Sequence, residues 1–171
     1  MTCLATIAAL KALTAPSVAT SIYVIGYFAA ADGGEGWFDY NTASTASDNG
    51  GTVIIPNSSP GTGRWIRANV ASNGSVFNVK WFGAKGDGAT NDQTAVTNAL
   101  GVALASPYGA IYFPSSSGCY LASITVPSGT NGFKAVGDTL GYLTNPGSCI
   151  SSTSATATID LQSTGESHGQ D

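Results

Sequence analysis

The residues best suited to chemistry cluster in one short stretch, "GAKGDGATNDQ", at positions 83–93. Glycine-rich loops of this kind can hold a phosphate, and closely spaced acidic and amide side chains can hold a calcium ion. A phosphate loop needs lysine followed by serine or threonine after its last glycine, whereas Lys85 stands between two glycines. A calcium loop ends in a bidentate glutamate, but this one closes with Gln93. We therefore expect neither ligand.

The same stretch fits a tight turn that leads into a helix. Its glycines can take the left-handed backbone angles of such a turn. Thr90 and Gln93 have the spacing of a capping box, in which the threonine side chain accepts a hydrogen bond from the amide of Gln93. Asn91 and Asp92 place polar or negative groups where the helix dipole favours them. The predicted structural joint and helix cap, with no metal, consists of Gly83, Gly86, Asp87, Gly88, Thr90, Asp92 and Gln93.

The cysteines do not suggest a metal site. There are three, Cys3, Cys119 and Cys149, at irregular spacing, and His168 is the single histidine. An odd number of cysteines without a CxxC pair argues against zinc and against a disulfide framework. Cys119 and Cys149 could meet on successive turns of a repeat, but we expect unbonded, buried cysteines, which are common.

Composition excludes several function classes. Only 9% of the 171 residues are charged and the net charge is −4, so the chain has no electrostatic footprint for nucleic acid. The longest uncharged apolar run, residues 22–31, is roughly half the length of a membrane span. In residues 1–16, apolar side chains at helical spacing, interrupted by Lys11, predict a short amphipathic helix that includes Leu4 rather than a signal peptide. We expect no membrane insertion.

Three kinds of element must position the joint. Residues 17–70 contain the strand patterns "SIYVIGYF", "WFDY", "GTVIIP" and "GRWIRA", which predict a sheet too small to bury its apolar faces without a partner chain. Apolar side chains at 96, 99, 100, 103 and 104 predict a helix at about 91–105 that ends at "SPYG". Six short strand patterns follow in residues 109–171. They favour a parallel β-solenoid whose open end the helix covers.

The motifs "FGAKGDGATNDQ", "YFP" and "YLAS", in this order, resemble the start of the pectate-lyase-like right-handed β-helix of bacteriophage tailspike proteins. The likeness covers about fifty residues. The upstream block, from "IYVIGYF" to "GRWIRA", resembles a small module that precedes this β-helix in phage tailspikes. The resemblance implies a homotrimer that docks on a phage tail, baseplate or adaptor protein. It also implies that the long β-helix binds, and often cleaves, host surface polysaccharide.

The chain departs from that family in length. Only about sixty residues follow the helix, enough for two or three coils of roughly 20–30 residues. We therefore expect a portion of a longer polypeptide or a natural short protein. Glycosidic cleavage generally uses two facing carboxylates. No such pair stands out among Asp138, Asp160, Glu166 and Asp171, and His168 lies alone in a polar tail.

These observations predict a mainly β protein, trimeric, with a tail-attachment module at 1–75 and the start of a β-helix at 76–171. We expect the N-terminal attachment and β-helix-capping portion of a virion tailspike or tail fibre that mediates host adsorption outside the cell. We expect no catalytic residue and no cofactor in it. The alternative is part of a polysaccharide depolymerase, a hydrolase or lyase, whose active site lies beyond residue 171 or between subunits.

Overall fold

The computed structural model describes residues 3–58, 61–70, 75–127, 134–138, 148–152 and 159–161. The first part contains helix α1 (Ile7–Ala12) and five strands: β1 (Cys3–Leu4), β2 (Ser21–Val24), β3 (Gly36–Asn41), β4 (Val53–Ile54) and β5 (Arg64–Arg67). The second part contains a 3-10 helix (Val79–Phe82), helix α2 (Gln93–Ala105) and seven strands: β6 (Val76–Asn78), β7 (Ala110–Phe113), β8 (Tyr120–Leu121), β9 (Ile124–Val126), β10 (Lys134–Gly137), β11 (Ile150–Ser151) and β12 (Ile159–Leu161).

Strands β1 to β5 form one sheet in the order β1-β2-β3-β5-β4. The pairing of β1 with β2 is parallel and the other pairings are antiparallel. Side chains alternate between the faces, and one face packs against α1. The buried core between them consists of Ile7, Leu10, Ile22, Val24, Phe38, Tyr40, Ile54 and Trp65. The chain therefore covers one face of its small sheet with its own helix, so this face needs no partner chain, contrary to the prediction.

The four strands predicted in residues 17–70 are present, but the N-terminal segment differs from the prediction. Leu4 belongs to β1 rather than to the helix, and its carbonyl accepts a hydrogen bond from Ile25 N–H at 2.9 Å. Thr6 then starts α1, because its Oγ1 accepts from Ala9 N–H at 3.1 Å. Pairing with β2 outweighs the helical spacing of Leu4. Among the described residues no helix is long and apolar enough to span a membrane.

The second part is a stack of parallel coils. Strand β6 pairs with β7, β7 with β10, β8 with β11, and β9 with β12, always in parallel. Each of the six strands predicted in residues 109–171 is present, and β6 is an additional strand that the sequence analysis missed. Pairing of each strand with its equivalent one coil later is the defining feature of a parallel β-solenoid. The mainly β prediction is confirmed.

Helix α2 lies against β6, β7, β9 and the 3-10 helix. Four of the five apolar positions predicted for its inner face are buried, whereas Leu104 is half-buried and Ala95 takes a place in the core. Both ends of the helix lie within two residues of the predicted bounds. The helix closes a core whose largest members are Phe77, Phe82, Phe113 and Tyr120.

Cys119 and Cys149 form a disulfide, so the prediction of unbonded cysteines is wrong. Cys119 precedes β8 and Cys149 precedes β11, and the parallel register of these strands brings the two Cα atoms to 4.8 Å. That distance lies within the normal range for a disulfide. The spacing of the cysteines, 30 residues, equals one coil, which the sequence alone did not define.

The disulfide should stabilise the first two coils. Replacing Cys119 and Cys149 together by serine should lower the free energy of unfolding by about 3 kcal/mol, because closing a loop of 30 residues restricts the unfolded chain. Urea denaturation followed by tryptophan fluorescence measures the change. Cys3→Ser is the control, since Cys3 is exposed and unbonded. Equal stabilities for the double variant and the control would contradict a stabilising role.

Candidate functional site

The seven residues of the predicted joint lie together where the 3-10 helix passes into α2. Gly83, Gly86 and Gly88 have φ angles of 95°, 63° and 72°. These angles lie in the left-handed region that side chains disfavour. A Cβ atom on Gly86 would come within 2.6 Å of Ser116 Oγ and 2.7 Å of the Tyr120 ring. Glycine is therefore required at Gly86 by both backbone angle and space.

Two carboxylates hold the joint in shape. Asp92 is 2% exposed and accepts hydrogen bonds from the amides of Lys85 at 2.7 Å and Gly86 at 3.1 Å. Asp87 is exposed and accepts from the amides of Thr90 at 2.6 Å and Ala89 at 2.9 Å. Hydrogen bonds from Thr90, then Ala89, lower the pKa of Asp87 to about 2. Both carboxylates serve as acceptors for the turn.

The capping-box prediction is wrong. The hydroxyl of Thr90 donates to Asp87 at 2.7 Å, and the amide of Gln93 donates to Asn91 Oδ1 at 2.9 Å. Asp92 occupies the N-cap position without a side-chain capping bond, because its carboxylate faces back into the turn. The helix start is thus fixed by the fold of the preceding loop.

The joint also pairs with the first coil. The amide of Gly118 donates to the Gly86 carbonyl at 2.8 Å, and the amide of Gly88 donates to the Cys119 carbonyl at 3.1 Å. A Cβ atom on Gly118 would approach the backbone of Asp87 and Gly88 to 2.5 Å. The two backbones therefore run at a separation that glycine alone permits. In this way the joint covers the edge of the coil at Cys119.

Gln93 continues this pairing into the helix. Its side-chain Nε2 donates to the Ser123 carbonyl at 2.9 Å, and its Oε1 accepts from the Ser123 amide at 2.8 Å. Just before it, the amide of Asp92 donates to the Leu121 carbonyl at 3.0 Å. The primary amide of Gln93 thus imitates a strand residue opposite Ser123, between β8 and β9.

A buried arginine joins the sheet to the 3-10 helix, a feature that sequence analysis missed. Arg67 is 4% exposed, and its guanidinium lies 4.6 Å from the ring centre of Phe38 and 4.9 Å from that of Trp81. It donates to the carbonyls of Gly34 at 2.9 Å and Glu35 at 2.8 Å. Burial lowers the pKa of Arg67 to about 10, so it stays charged at neutral pH. The sequence feature that could have indicated a buried arginine is the strand pattern "RWIR", which contains both arginines of the chain.

Two glycines bring the sheet and the 3-10 helix into direct contact. A Cβ atom on Gly51 would lie 2.4 Å from the Phe82 ring, and one on Gly83 would lie 2.7 Å from the Tyr27 ring. The joint therefore contacts the first coil on one side and the sheet on the other. Beside it lies a pocket of about 250 Å³, lined by Tyr27, Phe28, Ala29, Asp32, Lys80, Ala84, Lys85 and Asp87.

Two known families match the two parts of the chain. Residues 76–166 match the family described as rhamnogalacturonase A/epimerase, pectate lyase-like. The chain belongs to this family. Residues 3–70 match the phage tail protein small four-stranded β-sheet domain. The resemblance to pectate-lyase-like tailspike proteins is thereby confirmed.

Several known proteins resemble this pectate lyase-like chain. A stretch of 54 residues is 41% identical to mannuronan C5-epimerase AlgE3 of Azotobacter vinelandii, and covers 32% of this chain and 3% of that protein. Pantoea stewartii WceF, a glycan biofilm modifying enzyme with a tailspike-like parallel β-helix fold, matches with a TM-score of 0.64 and 16% identity over 90% of this chain and 22% of its own.

A phage protein gives a similar match. Tailspike protein gp49 of Acinetobacter baumannii bacteriophage Fri1, a capsular polysaccharide depolymerase, matches with a TM-score of 0.57 and 17% identity. The match covers 81% of this chain and 24% of gp49. At these identities the two structures show the fold alone. The pectate lyase-like chain spans about a quarter of their length and a few per cent of the epimerase.

The candidate catalytic acids of this pectate lyase-like chain are not brought together by the described residues. Asp138 accepts hydrogen bonds from the Tyr112 hydroxyl and from Ser115 N–H, the latter at 2.6 Å. The bond to Asp138 raises the pKa of Tyr112 to about 12. Asp138 therefore ties neighbouring coils together. The side chains of Asp160, Glu166, His168 and Asp171 lie outside the described residues, within which no group of three metal-ligating side chains occurs.

Substitutions in the joint should show that its glycines are essential for folding and that its exposed carboxylate is not. Gly86→Val should prevent folding or strongly destabilise the chain, because it adds a clash with Tyr120 to an unfavourable φ. Gly101→Ala is the matched control, since its Cβ meets nothing within 4 Å and it should stabilise α2 by about 0.5–1 kcal/mol. Thermal unfolding by circular dichroism compares the two variants.

Asp87→Asn should be mild at neutral pH, because the side chain is exposed and an amide oxygen can still accept from Thr90. Its melting temperature and metal content should match those of the unmodified chain. Unfolding of the chain by chelators, or a tolerated Gly86→Val, would show that this loop is not a structural joint.

Proposed function

We propose that this chain is the N-terminal portion of a phage tailspike or tail fibre. In this proposal residues 1–75 attach to the virion and residues 76–171 begin the β-helix, with residues 83–93 as the joint. The observation that carries it is the Arg67–Trp81 contact, which fixes a sheet of the phage-tail kind onto the first coil of a pectate lyase-like solenoid. The protein would act at the phage tail, outside the host cell.

The glycan chemistry belongs to later coils in this proposal. A groove long enough for a polysaccharide needs several coils, and the similar depolymerase gp49 is about four times as long as the part that this chain matches. The described carboxylates Asp87, Asp92 and Asp138 are each engaged by backbone amides. The chain therefore supplies attachment and a capped template on which further coils stack. Host adsorption is the function of the whole spike.

Homotrimerisation is part of the proposal. Tyr23 and Trp37 pair on the sheet face opposite α1, with ring centres 5.3 Å apart, and Trp37 is 36% exposed. Val53 and Ile66 pair on the same face and are half-buried. This second face carries these apolar side chains together with the hydrogen-bonded pair Ser21 and Asp39. Equivalent faces of further copies, arranged in a closed symmetric ring, would cover it.

Light scattering of the chain at micromolar concentration should give the mass of three copies. Trp37→Asp should shift the chain toward monomer, because it places a charge in an apolar contact. Tyr108→Asp is the control, since Tyr108 is 90% exposed and lies outside the sheet. A monomeric unmodified chain, or a Trp37→Asp variant that remains trimeric, would count against this interface.

Attachment can be tested with tail particles of the phage that encodes the chain, prepared without their spikes. The labelled chain should sediment with these particles. It should release neither reducing ends nor unsaturated uronate from host capsule or lipopolysaccharide. Sustained turnover that is lost in Asp138→Ala or Asp160→Ala would make this portion an enzyme, and failure to sediment with the tails would refute the attachment role.

The second candidate is part of a polysaccharide depolymerase with an active site beyond residue 171 or between subunits. The likeness to gp49 and to WceF, both glycan-active proteins, favours it. Activity of the native polypeptide on host capsule or lipopolysaccharide distinguishes the two candidates. Sustained release of reducing ends or unsaturated uronate supports the depolymerase, whereas binding without turnover supports a spike that only adsorbs.

A further inference from the structure

The pocket beside the joint collects an unusual share of the basic side chains. The chain has six basic residues, and Lys80 and Lys85 both line this pocket. Both arginines are buried, and Lys11 pairs with Asp48 at 3.0 Å. No ion pair within 4.0 Å involves Lys80 or Lys85 among the described residues. Two ammonium groups are thus left to serve as hydrogen-bond donors in a single pocket.

Two carboxylates line the same pocket. Asp32 accepts hydrogen bonds from four amides: those of Phe28 at 2.7 Å, Tyr27 at 2.8 Å, and Ala29 and Gly34 at 3.0 Å each. Partial burial raises the pKa of Asp32, but hydrogen bonds from these amides outweigh it and hold the pKa below its ordinary value. Asp87 likewise has a pKa of about 2. Both groups are ionised at neutral pH, so two negative charges balance the two lysines.

An exposed aromatic ring forms part of the wall. Phe28 is 53% exposed, and its ring centre lies 4.7 Å from that of Tyr27 in an edge-to-face arrangement. Lys85 Nζ lies 5.3 Å from the Phe28 ring centre. The pocket therefore offers an apolar ring surface next to donors and acceptors. This combination of an apolar wall and a few convergent polar groups is typical of small-ligand sites.

We propose that this pocket binds one neutral hexose unit of a glycan. The balanced charges disfavour a strongly anionic or cationic ligand, because either would meet two like charges. A vicinal diol suits this set, since its hydroxyls can accept from the two ammonium groups and one of them can donate to Asp87 Oδ2, whose one hydrogen bond among the described residues comes from the Thr90 hydroxyl. Asp32 contributes its charge, because both of its oxygens are already engaged by amides. The carbon face of the sugar would lie on Phe28. The volume, about 250 Å³, is just below that of sites for drug-sized ligands and fits a single sugar unit.

The inference rests on the proposed function, because a spike that adsorbs to polysaccharide meets a dense array of such units. The pocket lies at the joint, away from the later coils, so it would add a contact close to the attachment module. One small, open pocket should bind weakly, with Kd on the order of millimolar. Three copies on one spike would strengthen the contact through multivalency.

The test is NMR titration of the isotopically labelled chain with methyl glycosides of glucose, galactose and mannose, and with methyl glucuronide as the charged match. At least one neutral glycoside should shift the amide signals of Phe28, Asp32 and Lys85, with Kd of about 1–10 mM. Phe28→Ala and Lys80→Met should each weaken binding at least about fivefold. Tyr108→Ala, which removes an exposed aromatic outside the pocket, should bind as the unmodified chain does.

Three results would overturn the inference. They are an absence of shifts up to about 100 mM glycoside, tighter binding of the glucuronide than of every neutral glycoside, and shifts that persist in a folded Phe28→Ala variant. Lys80→Met gives an independent readout if Phe28→Ala fails to fold. Tail attachment without sugar binding would refute this inference and leave the proposed function standing. Sugar binding without tail attachment would instead refute the proposed function and leave the pocket assigned.

Discussion

The exposed backbone edge of the first coil is the constraint on which the rest of the structure depends. A parallel solenoid ends in a row of unpaired amides and carbonyls that attracts other chains unless it is covered. Here the glycine joint covers it, with Gly86 and Gly88 bonded to Gly118 and Cys119, and the side chain of Gln93 serves as the last imitation of a strand. The joint therefore determines where α2 begins and how the coils stack.

The attachment of the sheet follows from a second constraint, the burial of a charge that has no ion pair within 4.0 Å among the described residues. The guanidinium of Arg67 is stabilised by carbonyl oxygens and by the faces of Phe38 and Trp81. A buried guanidinium with these partners loses much of its stabilisation if either aromatic ring moves away. The arginine thus holds the sheet and the 3-10 helix in one relative position.

The sequence predicted elements whose signal is local and failed where the determinant was distant. The strand patterns and the inner face of α2 were predicted because alternation and helical periodicity can be recognised within a short stretch of consecutive residues. Strand β6 was missed because it has three residues and pairs only with β7, far along the chain. The disulfide was missed because Cys119 and Cys149 come together only if one coil is 30 residues long, and the coil length was not known from the sequence. The capping box failed for a similar reason, since Asp87 captures the Thr90 hydroxyl only once the turn has folded.

Several aspartates of this chain resemble candidates for metal binding or catalysis in the sequence, but in the structure they accept hydrogen bonds from backbone amides in turns. Asp48 accepts amide hydrogen bonds from Gly50 at 2.8 Å and Ile55 at 3.0 Å. Asp32, Asp87 and Asp92 close turns in the same manner. In this chain, of which 9% of the residues are charged, these carboxylates accept the hydrogen bonds of loop amides that have no strand partner. A carboxylate held by several amides is a poor general acid, because the bonds stabilise its ionised form. In the proposed tailspike, acid-base cleavage of a glycan would therefore require carboxylates in a different environment from these.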